Sequence, residues 1–330
     1  KSLKSTGKAA VILPHGVLFR GNAEARIREN LLKQGFIKGI IGLPANLFYG
    51  TGIPACIIVI DKATAAKRML IDAQDLSKTP DGVFMVDASK GFAKDGNKNR
   101  LRAQDIHKIV DVFNNQRKVD KFARFVPFDE IEKNEYNLNI PRYIDTQESE
   151  DIQDLFAHLN GGIPKRDVED LKAFWEVYPN LQKDLFKSIS EKYIELTIQP
   201  TEIKETIFSH AEFKNYSTLL EKTYDSWKSK IYTSLTDINA ETAPKKFIHM
   251  LSESLLQEYE GKALVDNYTI YQHLMDYWNE TMKDDVYLVV EDGWAAKVRR
   301  IIEKNSKGKE IDKGWICDLI PKELVVNKYL

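Results

Sequence analysis

The chain has 330 residues, 43% hydrophobic and 29% charged; at about 100–200 residues per domain this predicts two folded domains and excludes a peptide, a disulfide-stapled miniprotein or a disordered tail. The formal net charge of −1 conceals a division. Lys1–Tyr143 carries 24 Lys and Arg against 15 Asp and Glu, net +9, whereas Ile144–Leu330 carries 24 against 34, net −10. Cys56 and Cys317 are too few and too far apart for a disulfide framework or a thiolate metal site. No apolar run reaches the roughly 18–20 residues of a membrane span, and no signal-peptide core follows the first residues, so a soluble, cytoplasmic chain is expected.

Ala9–Leu13 reads as a strand of the kind buried inside a sheet, closed by Pro14, and Ala23–Gln34 follows as a helix with Ile27 and Leu31 on one face and Gly35 as its stop. Strand then helix is the first half of a βαβ unit. Ile37–Leu43 and Ala55–Ile60 are apolar, β-branched runs expected as neighbouring strands near a sheet edge, buried on both faces. Ala63–Ser77 reads as helix, Val83–Val86 as strand, Gly91–Arg102 as an exposed basic loop and Asp105–Asn115 as a helix through Ile106, Ile109, Val110 and Phe113. Beyond Thr146 the spacing is helical: Phe213, Tyr216, Leu220, Tyr224, Trp227 and Ile231 form one stripe, Phe247–Tyr259 a second and Tyr271–Met282 a third. Val286–Val290 is a strand candidate. The fold class is thus α/β followed by α, with domains at 1–147 and 148–330.

The six histidines lack metal-binding spacing, so no metal site is expected, and no glycine-rich phosphate cradle or nucleophile elbow is present. The most informative stretch is Asn46–Asp61, NLFYGTGIPACIIVID. Gly50, Thr51 and Gly52 permit a tight backbone path, and Phe48 and Tyr49 stand where a loop leaves the sheet. Rings at such a tip can stack on a nucleobase, worth about 1–3 kcal/mol per base; composition alone favours an ordinary hairpin with buried aromatics. Lys98, Arg100 and Arg102 suit phosphate contacts or a solvated loop, and Arg142 suits a phosphate or a carboxylate among Asp129, Glu130 and Glu132.

AAVILPHGVLFRGNAEARIRENLL (Ala9–Leu32), IIGLPANLFYGTGIPACIIVIDK (Ile40–Lys62), VFMVDASKGF (Val83–Phe92), GNKNRLRAQDIHKIVDVF (Gly96–Phe113) and NEYNLNIPRYIDT (Asn134–Thr146) together resemble the modification (M) subunit of type I restriction-modification systems, a family of adenine-N6 DNA methyltransferases. HLNGGIPKRDVEDL (His158–Leu171) and YQHLMDYWNETMKDDVYL (Tyr271–Leu288) resemble the longer M subunits. The resemblance implies the later strands of a Rossmann-like S-adenosylmethionine-dependent methyltransferase domain followed by a mainly helical domain. It also implies that the target adenine is turned out of the duplex and held by an aromatic ring, a position matched by Phe48, with Tyr49 and Gly50-Thr51-Gly52 beside it.

The family's glycine-rich cofactor loop and its (N/D)PP(F/Y) tetrapeptide are not found in these 330 residues. The chain is therefore read as a C-terminal portion of a longer subunit, with no cofactor-binding residues of its own and no methyl transfer in isolation. The resemblance implies DNA, a specificity (S) subunit and a restriction (R) subunit as partners, two M per S, with the basic half toward DNA. The competing expectation is a non-catalytic helical assembly or adaptor domain joined to a partial α/β sheet.

Overall fold

A computed structural model describes residues 3–71, 78–146, 153–304 and 308–319. The chain divides into two compact units, Lys1–Asp151 and Ile152–Leu330. That boundary leaves the acidic residues Asp145, Glu148, Glu150 and Asp151 with the first unit. Its charge becomes 24 against 19, net +5, and that of the second 24 against 30, net −6.

The first unit is built on a mixed five-stranded sheet. In chain order its elements are β1 (Lys8–Pro14), α1 (Asn22–Lys33), β2 (Ile37–Gly42), β3 (Ala55–Asp61), β4 (Met69–Ile71), β5 (Lys78–Pro80), β6 (Gly82–Asp87), β7 (Ala93–Asp95), β8 (Lys98–Arg100), α2 (Ala103–Asn114), β9 (Ala123–Pro127) and α3 (Phe128–Lys133). The large sheet has the order β1-β3-β2-β6-β9. β2 and β6 are parallel, while β3 runs antiparallel to both β1 and β2, and β9 antiparallel to β6. β1 and β2 therefore point the same way with β3 inserted between them, so the strand-helix-strand unit is split rather than adjacent. β4 with β5 and β7 with β8 form two separate hairpins.

The central strands alternate their side chains between two cores. Ile40, Val83, Met85 and Val126 pack with Leu32 of α1, Phe128 and Ile131 of α3, and Leu138, Ile140, Tyr143 and Ile144. Ile41, Phe84 and Val86 pack with Ile109, Val112 and Phe113 of α2. Burial of this kind contributes about 25 cal/mol per Å² of apolar surface, which makes the paired cores the main source of stability. Arg28 joins α1 to the rest: its buried guanidinium donates to the carbonyls of Tyr136 at 2.7 Å, Val17 at 3.0 Å and Arg20 at 3.1 Å.

Several expectations are corrected. Among the described residues β1 pairs with β3 alone, and Val11 and Ile12 are exposed. Ile27 is exposed and Leu32 takes its place in the core. Ala63–Ser77 is not a helix as far as it is described. A 3-10 turn at Ala65–Arg68 leads into β4, because the Arg68 guanidinium is claimed by the carbonyls of Gly35, Ile37 and Asp61; residues 72–77 lie outside the described residues. Gly91–Arg102 is an ordered hairpin with a buried Asn99, not an open loop. In α2 the inward face is Ile109, Val112 and Phe113, while Ile106 and Val110 are exposed.

The second unit comprises α4 (Leu155–Asn160), β10 (Ile163–Pro164), α5 (Lys165–Glu169), α6 (Lys172–Val177), α7 (Pro179–Leu185), β11 (Phe186–Ser188), β12 (Tyr193–Leu196), α8 (Ile203–Ser209), α9 (Ala211–Thr236), α10 (Pro244–Tyr259), α11 (Asn267–Tyr277), α12 (Lys283–Asp292), β13 (Val298–Lys304) and β14 (Glu310–Cys317). The long stripe of α9 serves two cores. Phe213 and Tyr216 meet Tyr178, Leu181 and Leu185, and Trp227 and Ile231 meet Phe247, Leu251, Leu255, Leu274 and Trp278. His210 caps α9, its Nδ1 accepting from the Glu212 amide at 3.2 Å. Val286–Val290 is helical, not a strand, and Val286 and Val289 are buried on α12. Met250 of the second stripe is exposed, and Ile248 is buried instead.

A π-turn at Trp278–Met282 joins α11 to α12. Leu274, Trp278, Met282 and Val286 recur at four-residue steps, each overshooting an ideal α-helical turn by about 40°. The wider turn takes up that drift and keeps these residues on the core side.

Candidate nucleic-acid interface

β1, β2 and β6 end at the same edge of the sheet, and beyond the carboxyl ends of parallel strands is where α/β proteins place their ligands. Leu13, Cys56, Gly42 and Asp87 form one row across that edge. From it the chain leaves β2, runs through 43–54 and returns as β3. Leu47 turns inward against the core of α2, while Phe48 and Tyr49 point outward, 37% and 95% exposed. Both aromatics thus stand at the tip while Leu47 anchors the loop, and the buried-hairpin expectation holds for neither ring.

The loop is shaped by its glycines and by Thr51. Gly50 has φ +79° with open space around it, so its requirement is conformational. A side chain at Gly52 would meet Asn46 Oδ1 at 3.0 Å, so its requirement is close packing. The Thr51 hydroxyl accepts the Ile53 amide at 3.0 Å.

The β7/β8 hairpin closes over this loop. Lys98 Nζ donates to the Phe48 carbonyl at 2.9 Å and to the Thr51 carbonyl at 3.2 Å. Buried Asn99 donates from Nδ2 to the Ala45 carbonyl at 2.7 Å and from its backbone amide to the Asn46 carbonyl at 2.9 Å. Its Oδ1 is buried with no partner among the described residues. Four carbonyls of the aromatic loop are thereby held by two consecutive residues about fifty positions downstream.

The other expected cations are placed differently from one another. Arg102 forms a two-point pair with Asp105, Nε to Oδ2 and Nη2 to Oδ1, both at 2.9 Å, and the same carboxylate accepts the Arg102 amide at the start of α2. Arg100 is exposed, 3.8 Å from Asp95. Arg142 is exposed and makes no ion pair with Asp129, Glu130 or Glu132. Lys133 pairs with Asp129, Arg124 with Glu130, and the Tyr136 hydroxyl donates to Glu132.

Sequence reasoning passed over Asn99, His15 and Asp87. A polar residue inside a polar hairpin carries no hydrophobic signal, and Asn99 is distinguished only by its burial. His15 follows the end of β1 and its amide donates to the Pro54 carbonyl at 2.9 Å. Burial pushes its imidazole below the ordinary value, against the opposing pull of the Asp87 charge.

The β2 end runs into Leu43-Pro44, and Asp87 Oδ1 accepts the Ser89 amide at 2.9 Å. Among the described residues no group of three His, Cys, Asp or Glu could hold a metal ion, and no helix is long and apolar enough to cross a membrane.

Residues 1–152 match the family model of N-6 DNA methylases. The relatives it resembles are methylase subunits of type I restriction enzymes. It is 32% identical over 153 residues to the MpnII methylase subunit of Mycoplasma pneumoniae, covering 46% of this chain and 26% of that protein. It is 34% identical over 149 residues to the MjaVII methylase subunit of Methanocaldococcus jannaschii, covering 44% and 24%. The solved type I methyltransferase subunit from Streptococcus thermophilus shares 43% identity over 43% of this chain and 28% of that one, with a TM-score of 0.37. The match therefore spans about a quarter of the length of these curated relatives.

Proposed function

We propose that the chain is the base-holding portion of a type I adenine-N6 DNA methyltransferase subunit, in which the Phe48 ring stacks on the extruded target adenine. The observation that carries this reading is the loop 43–54: two outward aromatics at the carboxyl edge of the sheet, on a backbone fixed from below by Lys98 and Asn99. An adenine amine inside the duplex stack is out of reach of a methyl donor, so the base must leave the stack and be held. Phe48 supplies the flat apolar face, Tyr49 flanks it, and Gly50-Thr51-Gly52 turns the backbone away to leave room.

In this reading the sheet is the later part of a Rossmann-like domain, S-adenosylmethionine is bound by residues outside this chain, and the chain alone transfers no methyl group. The exposed cations Arg100 and Arg142 meet DNA phosphates and give a salt-dependent affinity. An S subunit that chooses the sequence and an R subunit that cuts complete the assembly, two M per S, in the cytoplasm.

The test is Phe48→Ala in the complete subunit assembled with its partners. Loss of one stacked base is worth about 1–3 kcal/mol, so methyl transfer to duplex DNA slows by about 5- to 150-fold, while DNA affinity and the unfolding midpoint are retained. An unchanged rate, or a loss traced to a lowered midpoint, would assign the ring to packing instead.

A further inference from the structure

We propose that Lys98 and Asn99 are positioning residues that set the Phe48 ring for the extruded base, an inference that rests on the base-holding reading above. The loop has little of its own to fix it. Between Leu43 and Pro54 it is an eleven-step excursion without a helix or strand, and the one side-chain bond described within it is that of Thr51 to the Ile53 amide. Asn46 sits at φ +55°, a left-handed conformation that a residue with a side chain holds where surrounding contacts support it, while Gly50 at +79° adopts its turn freely and stiffens nothing.

The β7/β8 hairpin supplies those contacts. Its four bonds fall on Ala45, Asn46, Phe48 and Thr51, so they bracket the aromatic pair on both sides. The Phe48 carbonyl is gripped directly by the ammonium of Lys98, which links the cation to the backbone that carries the ring. An ammonium shared between two carbonyls is a charge-assisted contact, roughly twice as strong as a neutral one. Asn99 is 6% exposed and thus acts as the fixed post, while Lys98 reaches over the surface from it. Two of the three ammonium donors are directed at the loop, one of them across a solvent-exposed contact.

The experiment uses the complete subunit assembled with its partners: methyl transfer is read on unmodified duplex DNA, and base stacking on a second duplex carrying 2-aminopurine, which lacks the N6 amine, in place of the target adenine. That base brightens when it leaves the duplex stack and dims again when it stacks on an aromatic ring. Lys98→Met keeps the apolar stem and removes the donors. The expected result is brighter 2-aminopurine and methyl transfer slowed by about ten- to a hundredfold, as for a misplacement of up to about 1 Å, with DNA affinity and its salt slope unchanged. Lys98→Arg restores both signals. Asn99→Ala repeats the effect from the other half of the hairpin.

The proposal fails if Lys98→Met leaves both fluorescence and rate unaltered, or lowers only the unfolding midpoint. It fails too if the salt slope drops by about 0.9, the value of one lost phosphate contact, with fluorescence unchanged; Lys98 is then a DNA ligand. Slow transfer in Phe48→Ala together with normal transfer in Lys98→Met removes the positioning role alone. Normal transfer in Phe48→Ala removes the base-holding reading and this inference with it.

Discussion

Cys56 and Cys317 sit in opposite surroundings, and their chemistry follows from that. Cys56 lies inside β3 with no exposure, and burial pushes its thiol up to about 11 from an ordinary 9.0, whereas Cys317 at the end of β14 is partly exposed. The thiolate is the nucleophile, so alkylation follows both access and ionisation. Treated with iodoacetamide at pH 8, the folded chain should gain one adduct by intact mass and a second only in denaturant. Two rapid adducts on folded protein would show that the β3 core opens readily. The sign for stability is fixed by the direction of the shift: the contribution of the buried thiol is complete below about 9 and is lost as pH rises toward 11. The same scale explains why the loop contacts escaped the sequence. Lys98 is legible as a basic residue, but its acceptors are backbone carbonyls 47 and 50 positions away, and nothing in local spacing encodes such a pairing.

At the scale of elements, periodicity served where one face decides burial. The apolar runs at Ile37–Leu43, Ala55–Ile60 and Val83–Val86 are strands because both faces of each are covered, and α9 follows its stripe from end to end. It misled where an apolar run is short. Val286–Val290 suits a strand or a helix equally by composition, and continuity with α11 through the π-turn decides for the helix. The small strands β4 and β10, and the β13/β14 hairpin, have too few residues or too polar a surface to announce themselves. Within α9 the stripe is not energetically uniform. Trp227 is 4% exposed and its Nε1 donates to Ser254 Oγ at 2.9 Å, while Tyr224 one turn earlier is 47% exposed. Trp227→Ala should therefore cost about 3–5 kcal/mol and Tyr224→Ala about 0.5 kcal/mol, as read by urea unfolding; equal costs would mean that the stripe packs as one surface.

At the scale of the whole molecule, each unit completes its cores with its own residues. Among the described residues the two helical cores draw on Trp175 to Leu319. Residues 152–330 expressed alone should show a helical circular dichroism spectrum and a cooperative melt, and a spectrum without helix would mean that this unit depends on the first. The charge division survives in reduced form, since the acidic residues between Asp145 and Asp151 belong with the basic unit. Under the proposed function, attraction to DNA would arise from where cations such as Arg100 and Arg142 are exposed, more than from a net excess. The π-turn carries a further consequence, for how length variation is tolerated. Its surplus residue is absorbed in one wide turn, so removing one position from 278–282 would let an unbroken α-helix form with everything after it close to its present phase: Leu274 to Val286 would become eleven steps of about 100°, about 20° from whole turns. Val286 and Val289 would stay on the core side. The same deletion inside α12, with the wide turn kept, would instead turn the residues after it by about 100° and carry their apolar face away from the core.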